Sequence, residues 1–182
     1  QLPPCWTATS LGTHNVTRIE NGSTYNRIAR TGSKSASFYY SPNGSNDRFF
    51  TVAFQLTAGV SYDFSFWYIT DGYGGWNTLQ SGVYSAQSTD SIIQVLNTVL
   101  LPTNTFYKKM LGTFIPSVDG VYYFGVFCQS TTVPYYLTID DFKVSESPSC
   151  LGPINASAIN IMPTTADILF SPGDATTVNY QI

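Results

Sequence analysis

The sequence predicts an all-β fold, an antiparallel jelly-roll sandwich, and three observations carry that expectation. Apolar residues recur at every second position in "SYDFSFWY", where Tyr62, Phe64, Phe66 and Tyr68 share one parity and Ser61, Asp63 and Ser65 the other. This is the pattern of a strand with one face in a core. Turn formers cluster between such runs, in "SPNGSND", "TAGV", "DGYGG", "LPTN" and "SVDG". No apolar period of 3.6 persists over three turns anywhere. The composition agrees: 43% hydrophobic and 15% aromatic, but only 10% charged, against roughly 25% in an ordinary soluble domain. Uncharged polar residues must solvate the surface, as in secreted β proteins.

The elements follow in order. Trp6, in "LPPCWT", is placed as a plug at the sandwich edge. "SASFYY" and "RFFTVAFQL" give two strands, "SYDFSFWY" a third with Trp67 structural, and "SGVYSAQ" and "SIIQVLNTV" two weaker ones. In "VYYFGVFC" the residues Tyr122, Phe124, Val126 and Cys128 fall on one face. The final strand, "YYLTIDDFKV", breaks its own alternation: Leu137 and Ile139 hold one parity, Phe142 and Val144 the other. One extra residue between Ile139 and Phe142 lets all four face the core, so a β-bulge is expected at Asp140–Asp141. Composition then shifts at "SESPSCLGP", a linker, and some 30 residues remain, too few to close a sandwich.

Net charge is −3 with no Lys/Arg cluster, which argues against binding nucleic-acid phosphates. No apolar run reaches 18 residues, so no membrane helix is expected. No signal peptide is present; either one was removed or the sequence begins inside a longer protein. Three cysteines allow three pairings. Cys5–Cys150, flanking the main folded region, is favoured, with Cys128 a buried strand thiol; three reduced cysteines remain the alternative. Without CxxC, and with His14 the one histidine, a zinc site is disfavoured. His14 lies in a polar stretch without a neighbouring nucleophile and is expected at the surface. A glycosidase needs two carboxylates across a sugar, whereas adjacent strand residues such as Asp140 and Asp141 point to opposite faces. No catalytic residue is assigned.

The loop "DGYGGWN" is the binding candidate. Three glycines permit close approach, and Tyr73 and Trp76 offer faces for stacking on a sugar, with Asn77 as a hydrogen-bond partner; the alternative is that Trp76 folds back to seal the sandwich end. Sequons at Asn15, Asn21, Asn43 and Asn155 mark N-glycosylation acceptors should the source be eukaryotic.

Taken in order, "LPPCWT", "AGVSYDFSFWY", "SVDGVYYFGVFCQS" and "YLTIDDFKV" resemble the MAM-like, cleaved-adhesin type of jelly-roll domain, found in secreted surface proteins of Bacteroidetes-like bacteria and in gingipain adhesin regions. The resemblance covers residues 1–147. The stretch 148–182, with "INASAINIMPTTADILFSP", resembles a linker and the first strands of a fibronectin type III domain, with Phe170 in place of the Trp common there. The resemblance implies a fragment of a longer, extracellular polypeptide. It implies a structural calcium on Asp140 and Asp141, with Glu20, Asp47 and Asp71 as possible further ligands, since calcium takes six to eight oxygens; the alternative is that one Asp caps backbone N–H groups at the bulge while the other faces solvent. The function it implies is a non-catalytic adhesion or spacer module, presenting sandwich-end loops to glycans, proteins or neighbouring modules. The alternatives are a carbohydrate-binding accessory domain of a secreted hydrolase and a purely structural repeat of a surface filament.

Overall fold

The alternation seen in the sequence builds two stacked sheets. The structure, a computed structural model, describes residues 2–10, 17–20, 24–148 and 154–171. The chain divides into two compact units, Gln1–Glu146 and Ser147–Ile182. In the first, β1 (Thr7–Ser10), β4 (Ser45–Phe50), β10 (Gly120–Ser130), β7 (Thr78–Tyr84) and β8 (Ile92–Leu100) lie side by side, and β5 (Phe54–Leu56) also pairs with β10. Facing them is the order β2 (Thr17–Glu20), β3 (Ser35–Phe38), β11 (Leu137–Glu146), β6 (Tyr62–Thr70) and β9 (Lys108–Phe114). The pairings within both sheets are antiparallel. The second unit contributes a two-stranded pair, β12 (Ile154–Ile159) and β13 (Asp167–Ser171). Among the described residues no helix is long and apolar enough to cross a membrane.

The core is aromatic. Phe38, Phe49, Phe64, Phe66 and Phe124 are buried between the sheets with Leu79, Val83, Leu137 and Ile139. Tyr62, Phe64, Phe66 and Tyr68 all face inward, as their alternation requires. Cys128 is buried beside them, and its thiol is pushed well above the ordinary value by burial, then by Asp47. Trp6 packs on Phe49 and Phe142 at the edge, with ring centroids 5.1 and 5.2 Å away.

Several elements differ from the sequence expectation, among them β1 and β2, which no strand run anticipated. "RFFTVAFQL" is two strands, because Thr51 interrupts it: its N–H donates to the Phe124 carbonyl (2.9 Å), and its Oγ1 accepts the Phe124 N–H (3.0 Å). A hydroxyl thus replaces a backbone carbonyl in the ladder and the chain steps along β10. The strand β9 was not legible at all, since two lysines and a glycine break its alternation. Gly112 is required there because a Cβ would stand 2.4 Å from Leu96 Cβ.

The bulge lies where the broken alternation puts it. Asp140 pairs with Trp67 and Lys143 with Ser65, so β11 carries one residue more than β6 over this step. Asp141 absorbs the turn at φ 52. Phe142 and Val144 thereby rejoin Leu137 and Ile139 against the core.

Candidate functional site

Antiparallel pairing gathers several loops at one end of the sandwich: 39–44 after β3, 71–77 after β6, 101–107 after β8 and 131–136 after β10. The 71–77 loop is pinned rather than loose. Asp71 Oδ1 accepts the Tyr73 N–H (2.9 Å) and Oδ2 accepts the Tyr136 N–H (2.8 Å). Burial pushes the Asp71 carboxyl up, and these backbone donors draw it partly back. Gly75, at φ 91, brings the loop so close to the 131–136 segment that a Cβ would meet Val133 O at 2.4 Å. Ser130 Oγ donates to the Gly75 carbonyl and completes the junction.

This junction assembles a cluster of six tyrosines. Tyr73 stacks on Tyr135 (centroids 5.1 Å) and Tyr25 on Tyr136 (5.1 Å). Tyr25 meets Tyr73 edge-on at 6.2 Å, and Tyr135 meets Tyr136 at 6.5 Å, closing a ring of four. Tyr39 and Tyr40 extend it through edge contacts to Tyr136 and Tyr135. The Arg27 guanidinium lies 4.7 Å from the Tyr136 ring centre and donates to Tyr39 Oη (2.9 Å). Burial, then the Tyr39 hydroxyl, push the Tyr136 phenol up against the pull of Arg27, so it stays a neutral donor and acceptor. The arrangement offers aromatic faces and phenol hydroxyls on a rigid support, the combination that suits polyhydroxylated ligands.

The anticipated site residues divide here. Tyr73 is 69% exposed and belongs to the cluster. Trp76 does not: only 2% exposed, it packs against Phe38 and seals the sandwich end. Asn77 is structural as well, its Oδ1 accepting the Thr131 N–H (2.6 Å) and hydroxyl (3.1 Å). The other five tyrosines escaped the sequence reading. The doublets "YY" at Tyr39–Tyr40 and Tyr135–Tyr136 were the available signal, because one residue of each pair must leave the core face.

The acidic doublet at the bulge is a clamp. Asp140 Oδ2 accepts the N–H groups of Arg30 (2.7 Å) and Thr31 (3.3 Å), and Oδ1 accepts that of Asp141 (2.8 Å). Asp141 pairs with Arg30 Nη1 at 2.6 Å and accepts the Thr31 hydroxyl. Partial burial raises the Asp141 carboxyl, but Thr31 and Arg30 together outweigh it and hold it below the ordinary value. All four carboxylate oxygens are thus engaged by N–H or O–H donors, and Arg30 supplies the positive charge. This donor set does not fit the expected calcium. Asp47 lies buried on the opposite sheet, Asp71 is committed to its loop, and the Glu20 side chain is outside those described. Among the described residues no group of three His, Cys, Asp or Glu could hold a metal. The clamp straps residues 24–31 across the outer face of β11 and β6, where Arg30 lies 3.8 Å over the Trp67 ring and Tyr107 donates to the Ile28 carbonyl (2.6 Å). Tyr25 and Arg27 are held in place by that strap.

Cys5 carries an exposed thiol, and Cys150 lies outside the described residues. So do His14, Asn15 and Asn21. Asn43 and Asn155 are exposed, the first in the turn before β4 and the second on β12.

The chain matches no protein-family model and no curated protein sequence. Its structure is similar to the K1 cleaved adhesin domain of Lys-gingipain from Porphyromonas gingivalis (TM-score 0.57, 13% identity, 81% of this chain and 94% of that one). It is similar to the carbohydrate-binding module TmCBM61, solved in complex with β-1,4-galactotriose (0.56, 16%, 79% and 90%). A third is the CBM22-2 xylan-binding domain of Paenibacillus barcinonensis Xyn10C (0.53, 14%, 79% and 92%). The fold is that of adhesin-like and carbohydrate-binding β-sandwiches. At these identities the likeness is one of fold.

Proposed function

We propose that the chain is a non-catalytic binding module of a large secreted or cell-surface protein, and that its tyrosine-lined end holds a glycan. The observation that supports this is the six-tyrosine cluster, built on a pinned loop junction and presenting the exposed ring of Tyr73. The likeness to modules solved with galactotriose or described as xylan-binding supports a neutral, β-linked oligosaccharide as the first ligand to test. The resemblance of the sequence to cleaved-adhesin domains favours a role in adhesion. The fold likeness to carbohydrate-binding modules favours, as a second version, an accessory domain of a secreted hydrolase. The β12–β13 pair is read as the opening of a fibronectin type III-like domain.

Titration calorimetry with β-1,4-galactotriose and xylo-oligosaccharides, preceded by a glycan array, tests the proposal. Tyr73→Ala is expected to lower affinity about tenfold while leaving the thermal midpoint unchanged, because the side chain supports little of the fold. Absence of any glycan binding, or binding indifferent to Tyr73→Ala, rejects it.

A further inference from the structure

The two sheets of the sandwich end in four outer strands, β1, β8, β2 and β9, and three of these are short or covered. β1 and β2 are four residues long. β9 opens with Lys108 and Lys109, and β8 closes over it: Asn97 Nδ2 donates to the Leu111 carbonyl (2.7 Å), and Leu96 sits on Gly112. β8 differs. It runs nine residues, pairs with β7 on one side and has no strand on the other.

Little in β8 discourages further pairing. From Ser91 to Tyr107 the sequence holds no charge, and charge or proline is what ordinarily keeps an open edge from pairing. Bulges can serve the same end, but here they work the other way. Against β7, Ile93 and Leu96 are extra residues. The broken alternation leaves Ile92, Ile93 and Val95 all turned outward, 44%, 47% and 44% exposed. Farther along, Asn97 Oδ1 takes up the Thr98 N–H (2.7 Å), so the open stretch is 92–96.

The chemistry of an edge fixes what it takes: its N–H and C=O groups are answered by another extended backbone. Charge at the two ends of β8 says which one. The uncharged run is bounded by Asp90, exposed just ahead of the strand, and by Lys108, exposed beyond it. Lys108 lines a hollow of about 400 Å³ together with Leu100, the last residue of β8. An antiparallel second copy sets Asp90 of one molecule beside the Leu100 end of the other, where Lys108 stands, and does so twice. A parallel copy would oppose Asp90 to Asp90 and Lys108 to Lys108.

We infer that two copies of this chain pair antiparallel through β8, about a two-fold axis passing near Val95. The two sheets become one, and Ile93 and Val95 of each copy pack on those of the other across the axis. One strand pair is a small interface, so the dimer forms in the micromolar range. The contact uses none of the six tyrosines; it goes beyond glycan recognition and stands without it.

Sedimentation velocity of the full chain, at concentrations rising to about 200 μM, tests the inference. Wild type should pass from monomer to dimer. Val95→Lys, at a half-exposed position, should keep a thermal midpoint close to wild type and stay monomeric. Asp90→Lys and Lys108→Glu should each weaken the dimer several-fold, because the two-fold axis repeats the repulsion. Combined, they should restore it, since each reversed charge again meets its opposite. Val95→Lys should bind soluble glycan as wild type does, which separates failure here from failure of the glycan proposal. A wild-type chain that is monomeric at every concentration overturns the inference. So does a folded Val95→Lys variant that still dimerises, or a double reversal that associates no better than the single ones.

Discussion

Asp140→Ala is the sharpest perturbation of the strap. It removes the acceptor of three backbone N–H groups, those of Arg30, Thr31 and Asp141, at 2.7, 3.3 and 2.8 Å. A hydrogen bond to a charged acceptor contributes about 1.5–3 kcal/mol when water is excluded. This carboxylate is half-buried, and water can reach part of what it leaves, so about 1 kcal/mol per bond is the better figure. The sum, about 2–3 kcal/mol, corresponds to a fall in thermal midpoint of about 5–10 °C for a unit of this length. Asp141→Asn is the control. Asn tolerates the positive φ, and the ion pair it loses is partly exposed, so the change should stay within about 1 kcal/mol. Urea and thermal unfolding of the three proteins, each with and without a calcium chelator, is the assay. An Asp140→Ala midpoint equal to wild type, or an Asp141→Asn loss exceeding it, refutes the clamp. A chelator-induced drop of several degrees in the wild type would restore calcium to the bulge.

Further outcomes follow from neighbouring features. Gly75→Ala forces a side chain into φ 91 with Val133 O at 2.4 Å, so it should cost about 2 kcal/mol or more and abolish glycan binding along with the Tyr73–Tyr135 stack. The Asp141 carboxyl is held below the ordinary 3.8, so its stabilisation is complete above that pH and is lost as pH falls through the lower folded value. The stability difference between wild type and Asp141→Asn should therefore be constant near neutrality and shrink below pH 3.8; a difference that grows in acid would contradict the assignment. A maleimide should label Cys5 in the native protein and reach Cys128 only on unfolding, since Cys128 is fully buried and its thiol pushed up. Rapid native labelling of Cys128 would contradict the packing.

Much of the fold was legible because strand signals are local. The alternation in Tyr62–Tyr68 fixes which face is buried without knowledge of any partner. The change of parity between Ile139 and Phe142 marks the bulge for the same reason. Legibility failed where a contact across the sandwich set the residue. Gly112 is glycine because of Leu96 on the opposing sheet, and Thr51 divides a long apolar run by taking over a backbone position against Phe124. Trp76 looked like a loop aromatic and is a core residue, since the glycines before it swing the chain back over the sandwich end.

The sequence by itself determined an all-β chain, its inward faces, the irregularity in its last strand, and a surface poor in charge. Only the tertiary structure decided that Asp140 meets the backbone of Arg30, 110 positions away, and that tyrosines from four separate segments form one cluster. Alternation and turn chemistry act within a few residues, whereas which loops meet depends on strand order, and strand order is settled by burial of the whole core at once.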